Sequence, residues 1–247
     1  MTTVQYSDRT AIVTGGSRGI GRQSAVRLAA DGYNLVLVYS GSQPEADQAV
    51  KDILAAGGRA LAVQADVSDL SAVTAAFDAA EQAFGGVDVV VHAAGVMKLT
   101  TIADADFDVI DQMLRVNTRG TFTVAQQAAK RLRSGGAFIA FSTSVVGLSL
   151  PTYGPYVASK AAVEGIILIL ARELRGRDIT VNAVAPGPTA TALFLDGKDP
   201  ETIARMAAQP PLERLGVPED IAETVAFLAG PARWVNGQVL RVNGGII

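Results

Sequence analysis

Tyr156 and Lys160 stand four residues apart in the stretch Gly154-Pro155-Tyr156-Val157-Ala158-Ser159-Lys160. Pro155 suits the first turn of a helix, where its missing N–H costs no hydrogen bond. Residues i and i+4 share a helix face, so phenol and ammonium point the same way. An adjacent ammonium favours the phenolate and lowers a tyrosine pKa from its usual ~10. A tyrosine tuned in this way can exchange a proton with a substrate oxygen near neutral pH. By itself the pattern also fits an exposed lysine beside a half-buried tyrosine, so the rest of the chain must decide.

A second chemical stretch lies near the start, Thr14-Gly15-Gly16-Ser17-Arg18-Gly19-Ile20-Gly21. Glycines allow a sharp turn and close approach of backbone to a ligand. The free N–H groups and dipole of a following helix attract a pyrophosphate. The alternative is a tight turn with no ligand. Two other motifs overlap it. Gly16 to Gly21 has the glycine spacing of a P-loop, but Arg22-Gln23 replace the required Lys-Ser/Thr. Gly15 to Gly19 also matches the Gly-x-Ser-x-Gly nucleophile elbow of hydrolases. That chemistry needs a late histidine, and the only histidine, His92, comes early. His92 is expected to be a packed or hydrogen-bonded structural residue.

The elements that must carry these residues alternate. Arg9 to Thr14, Leu35 to Tyr39, Ala60 to Gln64 and Val87 to Val91 read as buried strands. Gly19 to Ala30, Pro44 to Ala56 and Leu70 to Phe84 read as helices between them. The second half continues with one or two helices in Phe107 to Arg133, a strand at Ala137 to Phe141, a long helix at Pro155 to Arg175 and a strand at Ile179 to Val184. A helix at Val217 to Ala229 and a strand at Gln238 to Val242 complete it. Alternating strands and helices indicate βαβ units and a parallel sheet covered on both faces. Between them Ala190 to Pro211 forms a loop with a short helix, longer than most connections in compact domains and suited to a lid at about 188–212.

Composition fits one large α/β domain over residues 1–247: the 247 residues are 49% hydrophobic and 18% charged,. A net charge of −3 argues against a nucleic-acid partner,. With no cysteine the chain needs no oxidising compartment, and with one histidine no metal site is expected,. The polar segment Met1 to Thr10 lacks a signal-peptide core. The apolar run Ala161 to Ala171 is broken by Glu164 and is too short to span a bilayer. These features point to a cytoplasmic protein with no membrane partner.

With both motifs placed, the chain resembles the short-chain dehydrogenase/reductase family over nearly its whole length. The matching features are Thr14 to Gly21, Asp66-Val67, His92-Ala93-Ala94-Gly95, Asn117, Ser144 twelve residues before Tyr156, Lys160, Pro186-Gly187 and Thr191. It is most similar to the branch containing 3-oxoacyl-[acyl-carrier-protein] reductases. The family's usual Asn-Asn-Ala-Gly reads His92-Ala93-Ala94-Gly95 here. The resemblance implies a doubly wound Rossmann domain with a seven-stranded parallel sheet. It implies a catalytic tetrad: Tyr156 as acid/base, Ser144 polarising the substrate oxygen, Lys160 lowering the Tyr156 pKa and gripping the nicotinamide ribose, and Asn117 holding a relay water. Cofactor contacts then fall on Gly15, Ser17, Arg18, Gly19, Ile20, Gly21, Tyr39, Ser40, Asp66, Val67, Ala93, Ala94 and Gly95. They continue on Asn117, Tyr156, Lys160, Pro186, Gly187, Thr189 and Thr191, the last two holding the carboxamide.

Cofactor choice follows from charge. The second strand ends Tyr39-Ser40-Gly41-Ser42, with no acid to repel a phosphate, and Arg18 can reach one. Both favour NADP(H) over NAD(H). The substrate pocket is expected from Met97, Ser144, Val146, Leu148, Tyr153, Pro188, Leu193 and Phe194, an apolar lining for a hydrophobic ketone or acyl chain. The helix after Tyr156 is apolar nearly all round, which calls for burial on two sides. Family members usually form tetramers through it, so a homotetramer is expected, with a dimer as the alternative. An NAD-dependent alcohol dehydrogenase, a catalytically silent cofactor-binding protein and a hydrolase are the competing readings.

Overall fold

The computed structural model describes residues 8–247. Most of the polar N-terminal segment, residues 1–7, lies outside the described residues. Seven parallel strands form one sheet in the order β3-β2-β1-β4-β5-β6-β7. The strands are β1 (Thr10–Thr14), β2 (Asn34–Tyr39), β3 (Arg59–Gln64), β4 (Val87–His92), β5 (Leu132–Phe141), β6 (Thr180–Pro186) and β7 (Val239–Val242). The strand order reverses between β1 and β4, and in such sheets ligands bind beyond the carboxyl ends of the strands at that point.

Helices α1 (Gly19–Ala30), α2 (Gln43–Ala55) and α3 (Leu70–Phe84) link the first four strands. Local chemistry sets their ends. Ser42 caps α2 by accepting from Glu45 N, and Asp69 caps α3 by accepting from Ser71 N and Ala72 N. Gly85 closes α3 in the left-handed region at φ 82°, where a side chain would be strained,. The strands alternate between two cores. Ile12, Val36, Val90, Phe138 and Val181 face one layer of helices, and Ala11, Val13, Leu35, Val89 and Ile139 face the other. This is the period-2 geometry of a strand buried on both faces.

Helices α4 (Phe107–Met113) and α5 (Gly120–Arg131) are joined by a π-helical stretch, Leu114–Arg119. The expected one or two helices are therefore one helical run with a bulge at its centre, and Asn117 sits in that bulge. Such bulges have no side-chain periodicity of their own to reveal them. Strand β5 begins five residues earlier than expected, at Leu132, with a register irregularity against β4 between Val87 and Val89. Gly135, at φ 79°, lets the chain make that detour.

After the short α6 (Val145–Leu148), α7 (Gly154–Glu173) runs for 20 residues, with Pro155 in its first turn. Length and composition would suffice for α7 to cross a bilayer, contrary to the shorter reading from sequence. Tyr156, Lys160, Val163, Ile167 and Leu170 are nevertheless buried against the fold. Beyond β6 the expected loop with one short helix contains two, α8 (Ala192–Leu195) and α9 (Pro200–Ala207). Thr191 and Asp199 cap them. Helix α10 (Pro218–Ala229) then packs against α1 and β5.

Candidate active site

A cavity of about 470 Å³ opens at the carboxyl ends of the strands. Its floor is the glycine turn. A Cβ on Gly15 would stand 2.9 Å from Ala94 N, and one on Gly21 would stand 2.3 Å from Gly15 O. Neither position admits a side chain, so the turn lies tight against the β4 exit. Arg18 occupies the N-cap position of α1 without a side-chain cap, so the first N–H groups of that helix are left to the cavity,. This cradle fits a pyrophosphate. Arg18 is exposed, lines the cavity and has no protein partner among the described residues, whereas Arg22 is tied to Asp52.

Tyr39, Ser40, Asp66, Val67, Ala93, Ala94 and Gly95 continue the wall, as expected. Asp66 Oδ1 accepts from both the N–H and the hydroxyl of Ser68 at 2.8 Å, which fixes the bend after β3. One neighbour was not expected. Glu45, from the first turn of α2, lines the cavity beside Ser40 and Ser42. The strand end itself carries no acid, but the fold brings one in from the next helix.

Ser144, Tyr156 and Lys160 line the same cavity as the glycine turn. Tyr156 is 8% and Lys160 6% exposed. The Lys160 ammonium donates to Phe141 O at 2.9 Å. An ammonium has three donors, so others remain for the cavity. Gly95 is what lets the loop after β4 pass over this group: a Cβ there would be 3.3 Å from Lys160 Nζ and 3.2 Å from Asn117 Oδ1. Ser144 Oγ donates to Ala185 O at 2.9 Å and accepts from Asn243 Nδ2 at 3.0 Å.

Without cofactor, Lys160 is not among the causes that shift the Tyr156 phenol. Burial pushes the phenol up to about 12, with a hydrogen bond to Thr143 pulling the other way and Tyr153 adding to the rise. Burial also pushes the Lys160 ammonium down to about 8. In both groups the loss of water on burial is the largest cause,. At neutral pH the pair is therefore a neutral phenol and a charged lysine.

Asn117 is buried beneath the cavity rather than in its wall. Its Oδ1 accepts from Val96 N at 2.9 Å, and its Nδ2 donates to Val96 O at 2.9 Å and Ser159 Oγ at 3.0 Å. The side chain thus spends both amide hydrogens on the protein, clamping the β4 exit to α7.

Met97, Leu148, Tyr153, Pro188, Leu193 and Phe194 line the cavity as expected. Val146 does not. On the single turn of α6 its neighbours Val145 and Leu148 share the inward face, three residues apart, and Val146 falls outside it,. Pro186, Gly187, Thr189 and Thr191 are in the wall, but the Thr191 hydroxyl is already the acceptor that caps α8. Sequence reasoning missed Asn243, Thr143, Leu150, Met206 and Ile246. The last three supply apolar lining from distant segments. No motif marks them; only Asn243, just before the terminal glycine pair, had a local signal.

His92 is 3% exposed and its Nδ1 lies 2.8 Å from Thr14 Oγ1. Burial first, and Lys160 second, hold it neutral with a pKa of about 3. It serves the β1–β4 junction and stands in no relation to Ser17 as a base. The hydrolase reading has no support.

A family model described as enoyl-(acyl carrier protein) reductase matches residues 15–247. An NADPH-dependent aldehyde reductase-like protein, chloroplastic, of Arabidopsis thaliana is 44% identical, with 97% of this chain and 94% of that protein covered. A 3-oxoacyl-[acyl-carrier-protein] reductase of Staphylococcus aureus is 39% identical over 96% of this chain and 98% of that one. A crystal structure of a short chain dehydrogenase from Burkholderia cenocepacia in complex with NADP superposes with a TM-score of 0.92, at 38% identity and 99% coverage of both chains. The chain belongs to the short-chain dehydrogenase/reductase family. It is an oxidoreductase of that family, with the Rossmann-type sheet the family implies.

The depressed Lys160 pKa has a consequence for the cofactor-free enzyme. Between pH 8 and 10 the unfolded lysine, at 10.5, keeps a proton that the folded one releases at about 8. The unfolded state then binds more protons, so stability contributed by this group rises with pH across that window. The unfolding free energy of the wild type minus that of Lys160→Met, from urea titrations, should increase from pH 8 to pH 10. A flat difference would contradict the buried, desolvated ammonium.

Proposed function

We propose that the enzyme reduces a hydrophobic ketone or 3-oxoacyl group with NADPH, the reverse direction oxidising the corresponding secondary alcohol. The observation that carries this reading is the convergence of Ser144, Tyr156 and Lys160 on the cavity that holds the glycine turn. The bound nicotinamide supplies the hydride. The chain supplies the rest. As negative charge grows on the substrate oxygen, the Ser144 hydroxyl turns from Ala185 O to donate to it, steadied by Asn243,. The Tyr156 phenol, neutral at working pH, gives its proton to that oxygen and completes the alcohol,. The Lys160 ammonium, fixed by Phe141 O, stabilises the phenolate left behind and offers its remaining donors to the ribose. Asn117 and Gly95 keep the loop after β4 at the distance this requires.

An apolar lining from Met97, Leu148, Leu150, Leu193, Phe194 and Met206 supports a hydrophobic substrate. The segment at about 188–212, carrying α8 and α9, acts as the lid of the single domain. The Arabidopsis relative is described as an aldehyde reductase, and an aldehyde would use the same hydride and proton transfers.

Three features support NADPH: the unpaired Arg18 guanidinium, Ser40 and the start of α2. Glu45 opposes them, but its side chain is exposed and free to turn to water, whereas Arg18 has no competing partner. We also read the assembly as a homotetramer in the cytoplasm. Leu168 and Ile169 of α7 are exposed, as are Phe122 of α5 and Trp234 before β7. Apolar patches of this kind mark interfaces.

Tyr156→Phe should lower kcat by about 10² or more while NADPH still binds, as fluorescence titration would record. Undiminished turnover would remove Tyr156 from the chemistry. Arg18→Ala should weaken NADPH about tenfold with little change for NADH, and Glu45→Gln should tighten NADPH. Equal effects on both cofactors would overturn the assignment of these side chains to the 2′-phosphate. Light scattering should give four times the chain mass; a monomer mass would refute the assembly.

A further inference from the structure

Strands β5 and β7 are not neighbours, because β6 runs between them. The side chains just past their ends nevertheless touch. Asn243, one residue beyond β7, donates from Nδ2 at 3.0 Å to the Oγ of Ser144, three residues beyond β5. Strands two apart in a sheet lie about 10 Å from each other, so this contact must pass over the exit of β6. Gly187 stands there. A Cβ on Gly187 would be 2.8 Å from both Cα and Cβ of Asn243. Without a side chain at that point, the asparagine can lie across the strand end. Backbone bonds fix both neighbours of the crossing: Ser144 N donates to Pro186 O at 2.9 Å, and Gly187 N to Val242 O at 3.0 Å.

The Asn243 amide is held one way round. Its Oδ1 accepts from Gly245 N at 3.0 Å. That bond requires the chain to double back at once, and Gly244 and Gly245 do so at φ 66° and 88°, where a side chain would be strained,. The turn is seated against the trailing end of the lid. A Cβ on Gly244 would be 3.0 Å from Pro210 Cβ, and one on Gly245 would be 3.2 Å from Pro211 Cγ. With the amide oxygen taken up by Gly245, Ser144 meets the donor end. The reversed amide would offer Ser144 an acceptor for its only hydrogen.

A hydroxyl has one hydrogen and two lone pairs. Asn243 occupies a lone pair of Ser144 Oγ, and Ala185 O receives the hydrogen at 2.9 Å. The hydrogen can leave Ala185 O for a substrate oxygen in the cavity that Ser144 lines, but it cannot be lost to Asn243. A hydroxyl that accepts a hydrogen bond is also a stronger donor. Asn243 does not line the cavity, so it acts on the substrate only through the serine.

We propose that Asn243 is a positioning residue for the reduction assigned above: its amide holds the Ser144 oxygen so that the hydroxyl hydrogen is kept for the substrate oxygen. The inference rests on that reading of the site.

Steady-state kinetics of Asn243→Ala and Asn243→Leu test this, with NADPH and either ethyl 3-oxobutanoate or acetophenone, whichever the wild type reduces faster. The leucine fills the space without an amide. Each variant should lower kcat about tenfold, the scale of one lost hydrogen bond, while NADPH affinity by fluorescence titration stays within about twofold of wild type. The decisive comparison is made in a Ser144→Ala background. There neither substitution of Asn243 should lower kcat further, because the group it acts through is gone. An equal further loss in that background, unchanged kcat in the single variants, or loss of NADPH binding in both would overturn the inference. Unchanged turnover in Ser144→Ala alone would instead overturn the reading of the site on which it rests.

Discussion

The buried ammonium of Lys160 is the constraint to which the rest of this site answers. Taking a charge out of water is expensive unless hydrogen bonds replace the lost solvation. Here one replacement is fixed, the carbonyl of Phe141 at 2.9 Å. That carbonyl is available only because β5 ends at Phe141 and the chain turns toward Ser144. The ammonium reaches it only because Gly95 has no side chain to fill the space above. Asn117 ties the same loop to Ser159, one residue before Lys160. The ends of two strands and two helical runs therefore meet on a single charged group.

The same burial sets the acid–base character of the site. A phenol pushed up to about 12 is a proton donor over the whole physiological range, not a poised base. It becomes a better base only when something stabilises its anion. Lys160 and Ser144 line the same cavity as that phenol,.

The two ends of the sheet divide the labour. At the carboxyl ends the strands open into a cradle with free helix N–H groups and few fixed charges, suited to a phosphorylated cofactor and an apolar substrate,. At the amino ends of β5 and β6 the chain packs with arginines, some spent on backbone carbonyls and some unspent. The parallel topology makes this segregation natural, since every crossover helix begins at one end and finishes at the other.

Much of the fold and site was already fixed in the chain. Strand and helix alternation, the glycine turn, and Tyr156 with Lys160 on one helix face follow from periodicity and local sterics, which act over a few residues. Helices α1 and α3 begin and end where glycine, aspartate and apolar spacing place them. The comparatives of charge and distance did not follow from sequence. Spacing put an ammonium and a phenol on one helix face, but only the packing decided that burial pushes the phenol up and the ammonium down. The strand end showed no acid, yet the fold brought Glu45 there from the next helix. Val146 looked like lining until a one-turn helix turned it away, and the Asn117 amide, set in a π bulge, is spent on Val96 and Ser159. Asn243, almost a hundred positions from Ser144 in the chain, holds that serine at 3.0 Å. Local chemistry chooses the elements, but which groups share a dielectric and a hydrogen bond depends on segments distant in sequence, and only tertiary packing brings those together.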